Sequence, residues 1–214
     1  MERRKFIGLG TIGTLIGTSL IEESFGQSNG ENGRAITNKM KRKPIKPLYV
    51  PTDNSPFFGG RTKIKFEQTN NQFTTMEFII PPKTMGPAPH VHKDLDETMR
   101  VLKGTVTVMV GDKIIEITEG GWHIRPHGIT HTFWNATNEP VHFVEFYANQ
   151  NFDIFFEDYG NLFKKLKEEG ISADSTEGRK RQDKIMAEWG IQMYHNQKQA
   201  LIDKYGLNVV EARK

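Results

Sequence analysis

The sequence predicts a mainly β protein, a sandwich or a barrel, that ends in a helical tail. Between residues 60 and 148, short segments alternate apolar and polar residues and are rich in β-branched and aromatic side chains. Glycine, proline and asparagine separate these segments at close spacing, which favours a sandwich or barrel over βαβ units. From about residue 151 the apolar residues recur at helical spacing instead.

The composition limits the function classes. The 214 residues suffice for one core and an appendage. The net charge is only +3, and the basic stretch 39–47 contains two prolines and is typical of a solvated linker, so we expect no nucleic-acid surface. The chain has no cysteine. This excludes disulfides and thiolate nucleophiles, and it leaves nitrogen and oxygen as the atoms that could hold a metal.

The N-terminus resembles a twin-arginine export signal, which we assign to residues 1–26. Arg3 and Arg4 precede an apolar run that glycines interrupt and that is shorter than the ~20 residues needed to span a bilayer. The resemblance implies a periplasmic protein without membrane contact after signal removal. A short membrane anchor and an ordinary N-terminal helix are the alternatives. Residues 27–50, which are polar and glycine-rich at first, are predicted to be a linker.

The β domain is assigned to residues 51–148, and the helical extension to residues 149–214. The strand-like segments are RTKIKFEQ (61–68), FTTMEFII (73–80), TMRVL (98–102), TVTVMV (105–110), KIIEIT (113–118), HTFWN (131–135) and VHFVEFY (141–147). In the extension, FEDYGNLFKKLKEEG (156–170) is predicted to be a helix, and one or two further amphipathic helices follow it.

Two histidine-bearing segments point to a metal site. His90 and His92 are two residues apart, so on a strand both imidazoles project from one face. Glu97 follows a short turn and starts the next strand. His131 starts a more distant strand after the turn at 126–128. A ligand from that strand would give a metal a three-dimensional shell.

These segments resemble the two motifs of the cupin superfamily. The first motif is filled by His90, His92, Glu97 and Gly104. Its opening glycine falls at Thr84, and the nearest glycine is Gly86. The second motif is filled at every position, by Gly120, Pro126, Gly128, His131 and Asn135. The resemblance implies a double-stranded β-helix, a jelly-roll barrel, with the helical tail outside it.

By this resemblance the metal ligands are His90, His92, Glu97 and His131. In an octahedral shell, three imidazoles and one carboxylate leave two open positions, as catalytic sites do. The resemblance to quercetin-dioxygenase-like single-domain cupins implies Fe(II) first, although Mn, Ni, Cu and Zn suit the same ligands. The alternative is that the motif residues serve folding and the site stays empty.

Strand parity predicts the surroundings of the ion. Met99 and Val101 share the face of Glu97, and Phe133 shares that of His131, so these three side chains are the predicted apolar wall of a small-molecule pocket.

The candidate catalytic residues are Glu97, Glu145 and Tyr147. Glu145 and Tyr147 share one parity on the last strand of the barrel, and if that parity is the inner one, Glu145 is a candidate general base. The alternative is a solvated glutamate.

The remaining polar and aromatic candidates have simpler interpretations. We expect His123 and His127 at a strand edge or rim, and His142 in a hydrogen-bonded packing role. Trp122 and Trp134 are predicted to pack in the interior.

Three functions fit these residues. They are a metal-dependent oxygenase acting on a small organic substrate, a metal-assisted isomerase or lyase, and a non-catalytic small-molecule or sugar-binding protein. The apolar stripe of the tail is predicted to pack on the barrel or on a second subunit in a homodimer, with a lid over the barrel mouth as the alternative.

Overall fold

The computed structural model describes residues 44–53 and 59–209. The predicted signal, residues 1–26, and most of the predicted linker lie outside these residues. Residues 44–50 contain no helix or strand, and they are exposed. Within the described ranges, no helix combines the length and the hydropathy needed to cross a membrane.

Ten strands precede the tail. They are β1 (Gly59–Ile64), β2 (Phe73–Ile80), β3 (Thr84–Met85), β4 (His90–His92), β5 (Asp96–Lys103), β6 (Thr105–Val110), β7 (Lys113–Thr118), β8 (Trp122–Arg125), β9 (His131–Asn135) and β10 (Val141–Ala148). The first predicted strand was too long, because its end forms a 3-10 helix, Phe66–Thr69. This helix ends at Asn70, whose φ of 53° is left-handed.

The strands form two sheets. The first sheet is antiparallel in the order β1-β2-β10-β5-β8. In the second sheet, β9 pairs with β6 along one side and with β3 and β4 along the other, and β7 lies beyond β6. The predicted fold class, a mainly β jelly-roll barrel followed by helices, is confirmed.

The core contains the alternate side chains that both sheets turn inward. Phe78 and Phe143 stack there with ring centroids 5.2 Å apart, and Val108 is fully buried. Trp134 is also fully buried, as predicted. The prediction for Trp122 was wrong: its side chain is 59% exposed, because it lies on the edge strand β8 and points away from the core.

The C-terminal extension is not only helical. It contains α1 (Phe152–Glu168), α2 (Thr176–Glu188) and α3 (His195–Tyr205), as well as two short strands that the sequence did not predict, β11 (Ile191–Met193) and β12 (Asn208–Val209). β11 pairs antiparallel with β4, and β12 pairs parallel with β3. The extension therefore adds two strands to the second sheet.

The first helix of the extension packs on the barrel. Phe152 and Phe155 are buried in the same core cluster as the inward side chains of the sheets. The buried carboxylate of Asp153 accepts hydrogen bonds from the Thr74 hydroxyl at 2.7 Å and from the Phe66 N–H at 3.0 Å. These contacts fix the start of α1 against β2.

Candidate metal centre

Four side chains from three strands converge at one point inside the barrel. They are His90, His92, Glu97 and His131, and one ligand atom from each lies within 4.8 Å of the others. All four are buried. In the β4–β9 register His90 lies opposite His131, so the two histidine-bearing segments meet where the sequence predicted that they could.

Backbone carbonyls orient two of the imidazoles. The Nδ1–H of His90 donates to the Ala88 carbonyl at 2.8 Å, and the Nδ1–H of His131 donates to the Ile129 carbonyl at 2.9 Å. A carbonyl only accepts, so each Nδ1 carries the proton of its neutral ring, and Nε2 presents a lone pair to the cluster. A hydrogen bond from the far ring nitrogen to a carbonyl is typical of metal-binding histidines.

The pKa values favour a neutral ring at His90 and an ionised carboxylate at Glu97. Burial is the main cause that lowers the pKa of His90 to about 3. Burial would raise the pKa of Glu97, but the charge of Arg125 and the neighbouring histidines hold it well below its usual value. At neutral pH the cluster therefore offers the neutral imidazole of His90 and the carboxylate of Glu97.

This donor set fits a divalent cation. The Nε2 atoms of His92 and His131 each lie 3.2 Å from a carboxylate oxygen of Glu97, yet both are buried and neither makes a hydrogen bond. Lone pairs facing one another without a proton are costly unless a cation lies between them. Two ligand atoms at ~2.1 Å from one ion are at most about 4.2 Å apart. The four ligand atoms lie within 4.8 Å of one another, so they would need to move only slightly closer together to bind one ion.

A buried arginine, which the sequence analysis missed, links the ligand cluster to Glu145. The Nε–H of Arg125 donates to Glu97 Oε2 at 2.7 Å, and Nη2 lies 2.5 and 2.6 Å from the two oxygens of Glu145. Burial lowers the pKa of Arg125, but the two carboxylates outweigh it and the net shift is upward. Arg125 thus holds Glu97 through Nε and Glu145 through Nη2.

Glu145 and Tyr147 lie on the inner face of β10, which settles the parity left open by the sequence. Glu145 is 1% exposed, so it is not a solvated glutamate. Burial raises its pKa to about 7, against the opposing charge of Arg125. Burial also raises the pKa of Tyr147 well above its usual value. Tyr147 lies opposite Glu97 in the β5–β10 register.

The three predicted wall residues lie in the interior beside this network. Met99 and Val101 are fully buried, and the sulfur of Met99 is 4.0 Å from Arg125 Nη1. The Phe133 ring lies under the Arg125 guanidinium, 5.7 Å from its centroid. Whether a substrate contacts these side chains stays a prediction.

The other histidines lie outside the cluster. His127 is exposed at the rim, where its ring and its N–H contact Asp96. His123 lies on the edge strand β8, opposite Met99, and is half-buried. His142 is paired with Glu77 at 2.6 Å, which agrees with the predicted hydrogen-bonded role.

The second motif and the tail both hold the ligand strand β4. Gly128, whose φ of 74° favours glycine, donates its N–H to the His92 carbonyl at 2.8 Å. β11 pairs with β4 over its whole length, with Ile191 opposite His92. From α1, the Phe152 ring packs edge-on against the His92 ring at a centroid distance of 5.4 Å. The C-terminal extension therefore supports the candidate metal centre.

The sequence contains weak signals for what was missed. Arg125 alternates with His123 ahead of the turn at 126–128, in a segment with strand-like periodicity. An arginine that points into the core needs buried carboxylates as partners. Glu97 is one of them, and Glu145 is the second only if it points inward, which the sequence left open.

Comparison with known proteins agrees with this geometry. Residues 76–147 match the cupin domain. The match covers about a third of the chain and includes all four candidate ligands, so it supports the cupin superfamily for this segment. No curated protein matches the chain.

Solved structures with a similar arrangement include several cupins. One is described as a sugar phosphate isomerase from a cupin superfamily of Silicibacter pomeroyi (20% identity, 43% of this chain and 60% of that chain, TM-score 0.38). Another is a cupin protein from Bacteroides fragilis (14% identity, 48% of this chain and 86% of that chain, TM-score 0.40). A third is KdgF from Halomonas sp. (14% identity, 48% of this chain and 90% of that chain, TM-score 0.40). This chain thus spans 60% of the length of the first. Likeness at this level identifies no shared activity or substrate.

Proposed function

We propose that the protein is a metal-dependent enzyme that acts on a small organic substrate, and that its reaction is an oxygenation. The observation that carries the proposal is the buried convergence of His90, His92, Glu97 and His131, in which the Nε2 lone pairs of His90 and His131 face the cluster. A divalent ion held there would supply Lewis acidity and, if it is a redox metal such as iron, electron-transfer chemistry.

The protein's own residues would bind and orient the substrate. Glu97 is held at Oε2 by Arg125, so Oε1 is the oxygen that remains for an ion. The charge of Arg125 is already offset by Glu97 and Glu145, so a divalent ion at the cluster would be the charge that favours a substrate that binds as an anion, such as a phenolate or an enolate. Phe133 and Met99 border the same network and would exclude water from a bound aromatic or aliphatic group.

The state of Glu145 supports oxygenation over proton transfer. Both of its oxygens lie within 2.6 Å of Arg125 Nη2. A carboxylate engaged in this way must leave its partner before it can take a proton from a substrate. Oxygenation requires no such movement.

A metal-assisted isomerase or lyase is the second candidate. The observation that favours it is the burial of Glu145, which raises its pKa to about 7, where a general acid or base works best near neutral pH. In this reaction Glu145 would move the proton, with Tyr147 beside it on the inner face of β10.

A non-catalytic binding protein has less support. A coordination shell closed by a residue of the tail would favour it, and among the described residues the cluster contains none.

The test is oxygen consumption by the iron-loaded protein with phenols, 1,3-diketones and thiols. We expect one class to be turned over, and turnover to be lost in His92→Ala. Turnover without oxygen, by the zinc- or manganese-loaded protein, would replace oxygenation by the redox-neutral reaction. Stoichiometric metal with no turnover of any class would favour the binding protein.

We further propose that the protein is exported to the periplasm. The pattern of residues 1–26 supports this, with Arg3 and Arg4 ahead of a weakly apolar run. Cell fractionation of the full chain should find the wild type outside the cytoplasm. The double variant Arg3→Lys, Arg4→Lys should be retained in the cytoplasm. Equal export of the wild type and the double variant would contradict the proposal.

A further inference from the structure

The inner faces of the two sheets reach solvent between β7 and β8. Each of these strands is the last of its sheet on this side, and among the described residues no strand pairs with the free edge of either. On β7, Ile115 has the inward parity of the buried Ile117, yet it is 39% exposed. An inward side chain with this exposure indicates an opening into the interior of the barrel.

Two inward rows of side chains end at this opening. In the first sheet, the row across β10, β5 and β8 contains Glu145, Met99 and His123. In the second sheet, the row across β9, β6 and β7 contains Phe133, Val108 and Ile115. The Phe133 ring lies 5.7 Å from the guanidinium of Arg125, which is two residues from His123 on the same face. The two rows therefore border the same interior space.

His123 is a polar side chain at the opening that has an unused hydrogen-bonding atom. Its neighbours Trp122 and Ile124 are 59% and 60% exposed and point outward, so the imidazole between them points inward, beside Met99. The residue is half-buried. Its Nδ1 is buried and makes no hydrogen bond with any described residue. Buried polar atoms normally have a partner, so a bound molecule could supply the partner that His123 lacks.

The state of the ring defines the chemistry of that partner. Burial is the main cause that lowers the pKa of His123, and the charge of Arg125 lowers it further, so the imidazole is neutral at neutral pH. A neutral imidazole has one N–H donor and one acceptor nitrogen. A hydroxyl group both donates and accepts, so it matches the ring in either tautomer.

We propose that the substrate reaches the ligand cluster through the opening between β7 and β8, and that His123 is a specificity-determining residue that binds a second hydroxyl of an aromatic substrate. This rests on the proposed function, in which the first oxygen of the substrate lies at the cluster. Residues two apart on a strand are roughly 6.8 Å apart, which separates His123 from the row of Glu97 and Arg125. That distance suits one aromatic ring with an oxygen at each end.

The side chains between these positions suit an aromatic ring. Met99 and Phe133 border the space between His123 and the ligand cluster. Thioether sulfur and phenyl rings both make favourable contacts with aromatic groups. Neither side chain can bind a polar group strongly, so His123 would be the residue that distinguishes a second hydroxyl from a methyl group.

The test is the binding of two phenols, hydroquinone and 4-methylphenol, to the zinc-loaded full chain under nitrogen. Zinc has no redox chemistry, so calorimetry measures binding without turnover. We expect hydroquinone to bind roughly 10-fold more tightly, because its second hydroxyl gains a hydrogen bond to His123. In His123→Phe, which keeps a ring of similar size but no polar atom, this preference should disappear.

Two further variants separate the hydrogen bond from a loss of structure. The amide of glutamine donates and accepts, so His123→Gln should keep most of the preference. His142 is a histidine on the outer face of β10, paired with Glu77, so His142→Phe should bind both phenols as the wild type does.

The possible failures of the two proposals are distinguishable. Zinc binding is measured first, and its absence in the wild type would overturn the proposed function. If zinc binds but neither phenol does, or if both phenols bind equally well, the assignment of His123 is wrong while the metal site stands. An unchanged preference in His123→Phe would also overturn the assignment.

The adjacent residues Ile114 and Ile115 test the opening. They are 43% and 39% exposed, but they point to opposite faces of β7. Ile115→Trp narrows the opening, so we expect hydroquinone to associate roughly 10-fold more slowly, measured by stopped-flow absorbance of the cobalt-loaded protein. Ile114→Trp adds the same bulk to the outer face and should leave the rate unchanged. Equal rates in the two variants would contradict entry between β7 and β8.

Discussion

The two halves of the ligand set are held in different ways. Glu97 lies on β5, an eight-residue strand paired with β10 and β8, and His131 lies on β9, which also has neighbours on both sides. His90 and His92 lie on β4, which has three residues and one residue pair with β9. Its longer ladder is with β11, from the tail.

This difference divides the metal centre between the barrel and the extension. Pairing within the barrel suffices to position Glu97 and His131. The other two ligands depend on a segment about a hundred residues later in the chain, and on Phe152 beside the His92 ring. The helical tail is therefore as much a part of the site as the barrel, although the family match ends at residue 147.

The largest effect on stability should come from a substitution of Arg125, which holds Glu97 in the barrel half of the ligand set. Arg125→Met leaves Glu97 and Glu145 buried without their cation, so we expect a loss of about 3–5 kcal/mol in the free energy of unfolding. Urea denaturation measures this. Arg179→Met, at an exposed arginine on α2, is the control and should change little. A loss below about 1 kcal/mol for Arg125→Met would mean that the buried ion pairs are not decisive.

Metal binding tests whether both halves act together. At a free metal concentration of 100 times Kd, the ion should stabilise the wild type by about 2.7 kcal/mol, and a chelator should remove this. Thermal melts with and without metal report the effect. We expect His92→Ala and His131→Ala to lose it equally. An unchanged metal-induced shift in His92→Ala would show that the barrel half binds the ion alone.

The tail-supported half can be disturbed without touching a ligand. Gln192 is exposed and lies opposite Val91 in the β11–β4 ladder, and a proline there cannot donate to the ladder. For Gln192→Pro we expect a loss of about 1–2 kcal/mol in stability and metal binding about 10-fold weaker. Gln192→Ala keeps the N–H and is the control. Equal metal affinity in both variants, measured by calorimetry, would separate the tail from the site.

The smallest effect is expected at the surface contact between tail and barrel. Lys65 on the barrel side pairs with Glu157 of α1 at 3.0 Å, and both side chains are exposed. Lys65→Met should leave the unfolding midpoint and the metal affinity unchanged within error, because water screens the pair. A clear loss of metal affinity would show that α1 is held more by charge than by its buried aromatic rings.

The sequence predicted the barrel strands and the convergence of the ligands for a physical reason. Alternation over six to eight residues, as in FTTMEFII and VHFVEFY, identifies a half-buried strand. The motif spacings then bring His90 and His131 onto neighbouring strands, as the structure has them.

What the sequence could not predict depends on distant partners. β11 is a three-residue strand between two helices, too short for its own periodicity to show, and it exists because β4 offers it an edge. Arg125 is buried because two carboxylates from other strands surround it. Trp122 is exposed because β8 ends its sheet, a property of the topology and not of the local sequence.

The pairing of β11 with β4 also has a consequence for biosynthesis. His90 pairs with Met193, so the contact closes a loop of about a hundred residues, and contacts at such separation form slowly. A nascent chain that has emerged only as far as the barrel has no outer neighbour for the strand with the first two histidines. If the cluster holds a metal as proposed, we expect capture by all four ligands only after the C-terminus has left the ribosome.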